Sequence, residues 1–394
     1  MQIRRGPLSM LLVAVMIAST FQIFALGVLA SPIIEDLDIS RTTLGIIGAV
    51  NTGVGALTAP FSGRLTDRIG PRSAVLIVLT LSAVGMVMMS LAHSPLVLLA
   101  SGIVSGVPQG WGNPSTNALI ASAVEPGQRG TLTGIKQSGV TFAILVAGLG
   151  LPAFERASSW QGACSVFAGL FIFLVIVAAT ALPRSAATGA RADDEVAKPS
   201  PSEPLPPFII RLGIFAFVMG LASGSIGRFL ALFAEEALGY SLSTAGLAVG
   251  LSGLLGMGFR IAAARAAENR IPPPKLLVRL ALVGVASSTL LALSTVVGAW
   301  LLWPAVVLYA LGHTAWNAVA NLTIIMTVPT HQAGRASGII IFGFLLGLSL
   351  ASPGTGAIVD ATGNYAYAWW ASAALAFGAA VLLSRSVGEP KAAT

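Results

Sequence analysis

The sequence predicts an all-α polytopic membrane protein with twelve transmembrane helices in two pseudo-symmetric six-helix halves. Three observations carry this: an apolar composition, twelve apolar runs long enough to cross a bilayer, and a repeat relating the second half of the chain to the first. Of 394 residues, 55% are hydrophobic and only 9% charged, with a mean hydropathy of +0.86. A soluble domain carries about 25% charged residues, so the charges here are too few to cover a water-facing surface. A disordered chain, a collagen-like fibre and a disulfide-stapled secreted domain are excluded together. The single cysteine, Cys164, allows neither an internal disulfide nor a cysteine metal cluster.

A membrane helix takes about 20 predominantly apolar residues. Spans are expected at 8–30, 43–62, 73–92, 95–122, 131–152, 160–182, 208–233, 242–262, 276–296, 299–328, 336–358 and 366–385. The first follows Arg4 and Arg5 and ends in Val28-Leu29-Ala30, which also fits a secretory signal. Its apolar run exceeds the roughly 7–15 residues of a signal core, so it is counted as a span. Basic residues set the orientation. With the N-terminus in the cytoplasm, eighteen of the 22 Lys and Arg fall in or beside cytoplasmic segments; Arg41 and Arg156 lie outside, and Lys136 and Arg228 lie within spans. The net charge of +7 is therefore topological bias, not a nucleic-acid-binding face. Both termini are expected on the cytoplasmic side of a bacterial inner membrane. Residues 183–207 hold six prolines and Asp193-Asp194-Glu195, the composition of a disordered cytoplasmic linker. It separates a half of residues 1–182 from one of residues 208–394.

The halves repeat. At an offset of 201, Glu35, Leu37, Ser40 and Gly45 meet Glu236, Leu238, Ser241 and Gly246, and Arg64 and Asp67 meet Arg265 and Glu268. At an offset of 204, Gln109, Asn113 and Asn117 meet His313, Asn317 and Asn321, and Gln128, Gly130, Gly134, Ile135 and Gly139 meet Gln332, Gly334, Gly338, Ile339 and Gly343. A parallel duplication of six-helix halves is a transporter architecture, with the substrate expected near the midplane between them.

Between the second and third spans the chain reads Gly63-Arg64-Leu65-Thr66-Asp67-Arg68-Ile69-Gly70-Pro71-Arg72. This resembles the signature loop of the major facilitator superfamily, Gly-x-x-x-Asp-Arg/Lys-x-Gly-x-Arg/Lys. A degenerate copy, Ala264-Arg265-Ala266-Ala267-Glu268-Asn269-Arg270, resembles the family's weaker second loop, and Gly356 to Tyr365 resembles its eleventh-to-twelfth helix turn. The resemblance covers the whole chain and implies a carrier without cofactor whose helices 1, 4, 7 and 10 line a cavity. Asp67 stands at a helix boundary, where it either accepts hydrogen bonds or pairs with arginine in one conformation only, or belongs to a plain orientation signal. Gly63, Asp67, Arg68, Gly70, Arg72 and Glu268 are the gating candidates.

Charged and amide side chains inside a membrane are functional candidates by default. Gln109, Asn113 and Asn117 on span 4, and Tyr309, His313, Asn317 and Asn321 on span 10, recur every four residues and so share a helix face. These stripes either line the cavity, with Trp111 and Trp316 as flat walls, or bond helices to one another. Gln22 and Asn51 are further candidates on spans 1 and 2. His313, the one histidine within a span, is a candidate proton-sensing group.

Three cations remain, Lys136, Arg228 and Arg260, while all fifteen Asp and Glu lie in loops, termini or span ends. Unpaired buried charge is unfavourable, so a bound anion is the natural counter-ion, and arginine's fork suits a carboxylate. Other fates stay open: Lys136 snorkelling to the cytoplasmic face, Arg228 reaching Glu235 or Glu236, Arg260 as one more edge residue. Arg260-Ile261-Ala-Ala-Ala264-x-x-x-Glu268 resembles the eighth-helix arginine segment of oxalate/formate and monocarboxylate transporters, which implies a carboxylate-binding role for Arg260. Ala264 and Gly256 stand where those relatives carry glycine and, in mammals, aspartate. Gly134-Ile135-Lys136-Gln137-Ser138-Gly139 resembles bacterial cyanate-permease-type members. No phosphate-binding Gly-x-x-x-x-Gly-Lys-Ser/Thr loop and no hydrolase motif occurs. The expectation is a non-enzymatic, monomeric secondary transporter of a small organic anion, coupled, if at all, to a proton on His313 or on the substrate. The alternatives are an exporter of apolar drugs, against which the missing Gly-Pro-x-x-Gly-Gly run of span 5 counts, and a transport-dead receptor.

Overall fold

The computed structural model describes residues 5–123, 129–182, 206–328 and 330–384. Gln128 and nearly all of the expected 183–207 linker lie outside them. Every expected span falls on helix: α1 (Arg5–Val28), α3 (Arg41–Ile69), α4 (Pro71–Ser90), α5 (Pro95–Ala123), α6 (Arg129–Ala157), α7 (Trp160–Ala181), α8 (Pro207–Glu236), α9 (Leu242–Asn269), α10 (Pro273–Val297), α13 (Thr330–Thr362) and α14 (Tyr365–Ser384), with α2 (Ala30–Leu37) a short extra turn after α1. The tenth span is divided into α11 (Leu302–Tyr309), a π turn over Ala310–Thr314 and α12 (Trp316–Thr327). Ten helices among the described residues are long and apolar enough to cross a membrane. The two remaining spans, α5 and the divided tenth, are the ones that carry the amide stripes.

Two expected loops are largely helix. Helix α3 continues through Gly63–Arg68 to Ile69, and α9 continues through Arg265 to Asn269. Nothing in either segment breaks a helix until Gly70-Pro71 and the Pro272-Pro273-Pro274 run, so backbone hydrogen bonding carries on past the apolar part. Gly70 sits at φ 83, open to glycine at little cost, and Pro71 starts α4 where its missing N–H is not needed.

By packing, the described residues of Met1–Ala25, Val50–Ala143 and Ala153–Pro204 form one compact unit, and those of Leu26–Ala49, Ile144–Pro152 and Leu205–Thr394 a second. In the first, α4 packs on α5 and α7, and Phe21 of α1 lies tilted against Phe167 and edge-to-face with Phe171 of α7. Helices α3 and α5 meet backbone to backbone: a Cβ on Gly106 would lie 2.5 Å from the Asn51 carbonyl. In the second, α8 packs on α13, α14 and α9, and α10 on α14 and α11. Its core surrounds Trp316, Phe215 and Leu277, all fully buried.

The repeated serines have a shared local task. Ser40 Oγ accepts from Thr43 N at 3.0 Å, and Ser241 Oγ from Thr244 N at 3.3 Å, so each caps the helix that follows.

Candidate functional site

In the first unit, Lys136 leaves α6 and ends against α5. Its Nζ donates to Asn117 Oδ1 at 2.7 Å, to Thr116 Oγ1 at 2.9 Å and to Asn113 Oδ1 at 3.2 Å. At 1% exposure it does not snorkel. Close packing fixes this course, since a Cβ on Gly139 would sit 2.6 Å from the Val13 carbonyl of α1. Removing an ion from water costs several kcal/mol, and three charge-assisted bonds at about 1.5–3 kcal/mol each offset it. These acceptors, and the Asn113 backbone carbonyl at 3.4 Å, are all neutral, so among the described residues no carboxylate offsets the positive charge. Asn113 and Asn117 are themselves exposed.

The other first-unit candidates turn toward neighbouring helices. Gln22 Nε2 donates to Ser101 Oγ at 2.9 Å, and Asn51 Nδ2 to Ser105 Oγ at 2.8 Å and the Gly102 carbonyl at 3.1 Å. Both are buried and tie α1 and α3 to α5. Gln109 lies against Gly55 of α3, with Oε1 buried and without a partner. Trp111, expected as a flat wall, is buried and donates from Nε1 to Thr66 Oγ1 at 2.7 Å. Along α5, then, position 109 faces α3 whereas 113 and 117 face Lys136 and the open side. A four-residue step drifts around the helix by about 40° because 3.6 residues make a turn.

In the second unit, the Arg228 guanidinium of α8 lies on Gly48, where a Cβ would be 2.7 Å from Cζ, and its Nη2 reaches toward the Gly48 carbonyl at 3.5 Å. Glu236, one of the two acids within expected reach of Arg228, is taken instead by Arg41 and Tyr365. Arg260 is half-buried and donates from Nε to the Thr314 carbonyl at 3.2 Å, within electrostatic reach of the Tyr309 phenol. Tyr309 in turn donates to the Ser223 carbonyl at 3.4 Å.

The π turn reorders the second stripe. Its wider winding places His313 against α10, with Nε2 3.1 Å from the Gly284 carbonyl and 3.3 Å from Ser288 Oγ. Gly312 makes this possible by lying against the Gly284 backbone, where a Cβ would collide. Trp316 is fully buried between Phe215 and Phe344 and donates to the His313 carbonyl at 3.0 Å, so it belongs to the core and offers no surface to a cavity. Asn321 is exposed and bonds Asn317 Oδ1 at 2.9 Å, one turn away. Single-turn π insertions gather at functional sites, and this one sets the carbonyl that holds Arg260.

Sequence reasoning missed a cluster at one end of the second unit. Arg41 grips Glu236 with two bonds, Nη2 to Oε1 at 2.7 Å and Nε to Oε2 at 2.9 Å, and Tyr365 donates to the same carboxylate. Asp360 accepts from Arg41 N at 3.2 Å, Thr42 N at 2.8 Å and Thr42 Oγ1 at 2.6 Å, and so caps α3 from another part of the chain. With Ser40 on Thr43, the first three amides of α3 are satisfied. Gly45 and Gly356 allow the approach; a Cβ on Gly45 would lie 2.7 Å from the Ser352 carbonyl carbon. The signal was present in Asp360-x-Thr362-Gly363-Asn364-Tyr365, but nothing in the sequence linked it to Arg41.

Among the described residues, the gating candidates Asp67, Arg68 and Glu268 are exposed and form no hydrogen bond or ion pair. Arg72 donates to the Ala179 carbonyl at 2.8 Å. Gly63 is half-buried with nothing near its Cα face, and Gly70 makes the turn.

Ten long apolar helices among the described residues define a polytopic membrane protein. Residues 11–352 match the family model of the Major Facilitator Superfamily, and the chain belongs to that superfamily. It is similar to the gentisate transporter of Corynebacterium glutamicum, 29% identical over 156 residues that cover 38% of this chain and 35% of that protein. It is also similar to the multidrug resistance protein MdtG of Yersinia enterocolitica, 26% identical over 257 residues that cover 61% and 59%. The matches therefore span between about a third and three fifths of these relatives' lengths. Among solved structures, a bacterial homologue of the human lysosomal transporter Spinster, in an inward-facing and unoccupied conformation, shares the fold with a TM-score of 0.78 at 15% identity, covering 97% of this chain and 95% of that one.

Proposed function

We propose that this protein is a secondary transporter of small organic anions, carboxylates foremost, that alternates access by rocking residues 1–182 against residues 208–394. The observation that carries the reading is Lys136: a buried positive charge held, among the described residues, only by neutral oxygens beside two exposed amides. Arg260 supplies a second positive group whose one bond among those described is to a backbone carbonyl. The gentisate transporter, a relative named for an aromatic carboxylate, agrees with this substrate class. The basic-residue bias supports cytoplasmic termini, and with no carboxylate inside the spans any coupling proton would use His313 or the substrate itself. The protein works as a monomer. Labelled gentisate should show counterflow into proteoliposomes holding the purified protein, and Arg260→Gln should raise KM for carboxylates. Unchanged uptake of every carboxylate tested would remove Arg260 from the site.

A second reading, export of apolar drug-like compounds, is favoured by the relatives named as multidrug and quinolone resistance proteins. Drug efflux from loaded vesicles without any anion flux would replace the first reading with this one.

A further inference from the structure

We infer that Lys136 acts on the cargo through Asn113 and Asn117: it holds their oxygens inward, so that a carboxylate is received by the two side-chain Nδ2 groups rather than by the ammonium itself. The inference rests on the anion reading above and assigns the contact atoms within it.

An ammonium has three N–H donors and no acceptor. Here they are matched by Asn117 Oδ1, Thr116 Oγ1 and Asn113 Oδ1 at 2.7–3.2 Å, which leaves no donor for a ligand. The Lys136 side chain is also closed off from any approaching molecule. Because the ammonium can only donate, each asparagine must turn its oxygen toward it, and that fixes which way each amide points. The NH2 groups then face the other way. Asn113 and Asn117 are exposed, and neither Nδ2 has a hydrogen-bond partner among the described residues. A spacing of four puts the two on one face of α5.

Charge strengthens the arrangement. An amide whose oxygen accepts from a cation is polarised, and its N–H becomes a better donor. The buried ammonium behind the pair adds an attractive field for an anion without surrendering its own bonds. Thr116 completes the device as a positioning residue: it accepts from Lys136 while its hydroxyl donates to the Gly112 carbonyl at 2.6 Å. A cationic cargo would be repelled here, and a neutral one would gain less than an anion does from two outward donors over a positive charge.

The test uses the full chain in proteoliposomes, with counterflow of labelled gentisate, its uncharged methyl ester as competitor, and the melting temperature of each variant without ligand. Asn117→Ala and Asn113→Ala should each raise the gentisate KM about tenfold, the cost of one charge-assisted hydrogen bond, with a smaller change in Vmax. Asn117→Asp keeps an oxygen for Lys136 but loses the donor. It should keep or raise the melting temperature and bind worst. Lys136→Met should raise KM and also reduce the preference for gentisate over the ester, a change in selectivity that a merely structural role would leave alone. If the ammonium is the direct ligand, Asn117→Ala frees a donor and KM stays unchanged or falls. That result, with wild-type counterflow intact, overturns this inference alone. Absence of counterflow with any carboxylate in the wild type overturns the anion reading and this one together.

Discussion

Gly48 shows how much one hydrogen in place of a methyl group controls here. The Arg228 guanidinium occupies the space a side chain would need, and a Cβ there would lie 2.9 Å from Nη2. Gly48→Ala should therefore displace the Arg228 guanidinium, a shift the end of a flexible side chain makes at small cost, so the melting temperature should fall less than in Gly106→Ala, where the methyl would meet the Asn51 backbone carbonyl and overpacking costs about 1–3 kcal/mol. Trp316 gives the complementary case. Its position beside a polar stripe suggests a cavity wall, yet it fills the second unit's core and bonds the His313 carbonyl. Trp316→Ala is expected to cost about 3–5 kcal/mol, whereas Trp300→Ala, on an exposed side chain, should leave the melting temperature almost unchanged. The type of each residue was legible in the sequence. Its direction was not, because composition and spacing say nothing of what stands on the next helix.

Helix α3 carries the clearest prediction at the level of elements. Its N-terminus is capped by Asp360 and clasped through Arg41 by Glu236, with the Arg41 and Glu236 side chains 32% and 24% exposed. An exposed ion pair contributes at most about 1 kcal/mol, while loss of a helix cap costs about 0.5–2 kcal/mol, so the cap decides. Asp360→Ala should therefore loosen this end more than Glu236→Gln. Cys164 is fully buried, which permits a single reporter cysteine in place of buried Ser352. Thiol labelling at that position should accelerate in Asp360→Ala and less so in Glu236→Gln; equal, unchanged rates in both would show that the cap does not hold the end shut. The π turn is the other element the sequence did not disclose. Gly312→Val would force it off α10, because no side chain fits against the Gly284 backbone, and should reduce both stability and carboxylate affinity through the displaced Thr314 carbonyl. Nothing in Ala310-Leu-Gly-His-Thr314 departs from an ordinary helical run, since the extra residue is accommodated by tertiary contact rather than by local preference.

At the scale of the molecule, mean hydropathy, the sorting of basic residues and the Gly63–Arg72 motif already specified a twelve-span carrier of the Major Facilitator Superfamily. Of the landmarks of the repeat, Ser40 and Ser241 are helix caps with a local role, whereas Gly45, Gly139, Gly246 and Gly343 are places where another helix comes close. These properties are readable because hydropathy and capping are local: each is set by a run of residues and adds along the chain. The asymmetry between the repeats was not readable. Gln109 turns to α3, whereas His313, its repeat partner, turns to α10 across a π turn. The sequence by itself thus determined where the long apolar helices run and the scarcity of charge within them. Tertiary structure alone decided which face each helix presents, because rotation about a helix axis is set by backbone contacts at glycines such as Gly106, Gly139 and Gly312. That rotation turned Lys136 inward onto neutral oxygens and left two asparagines facing out.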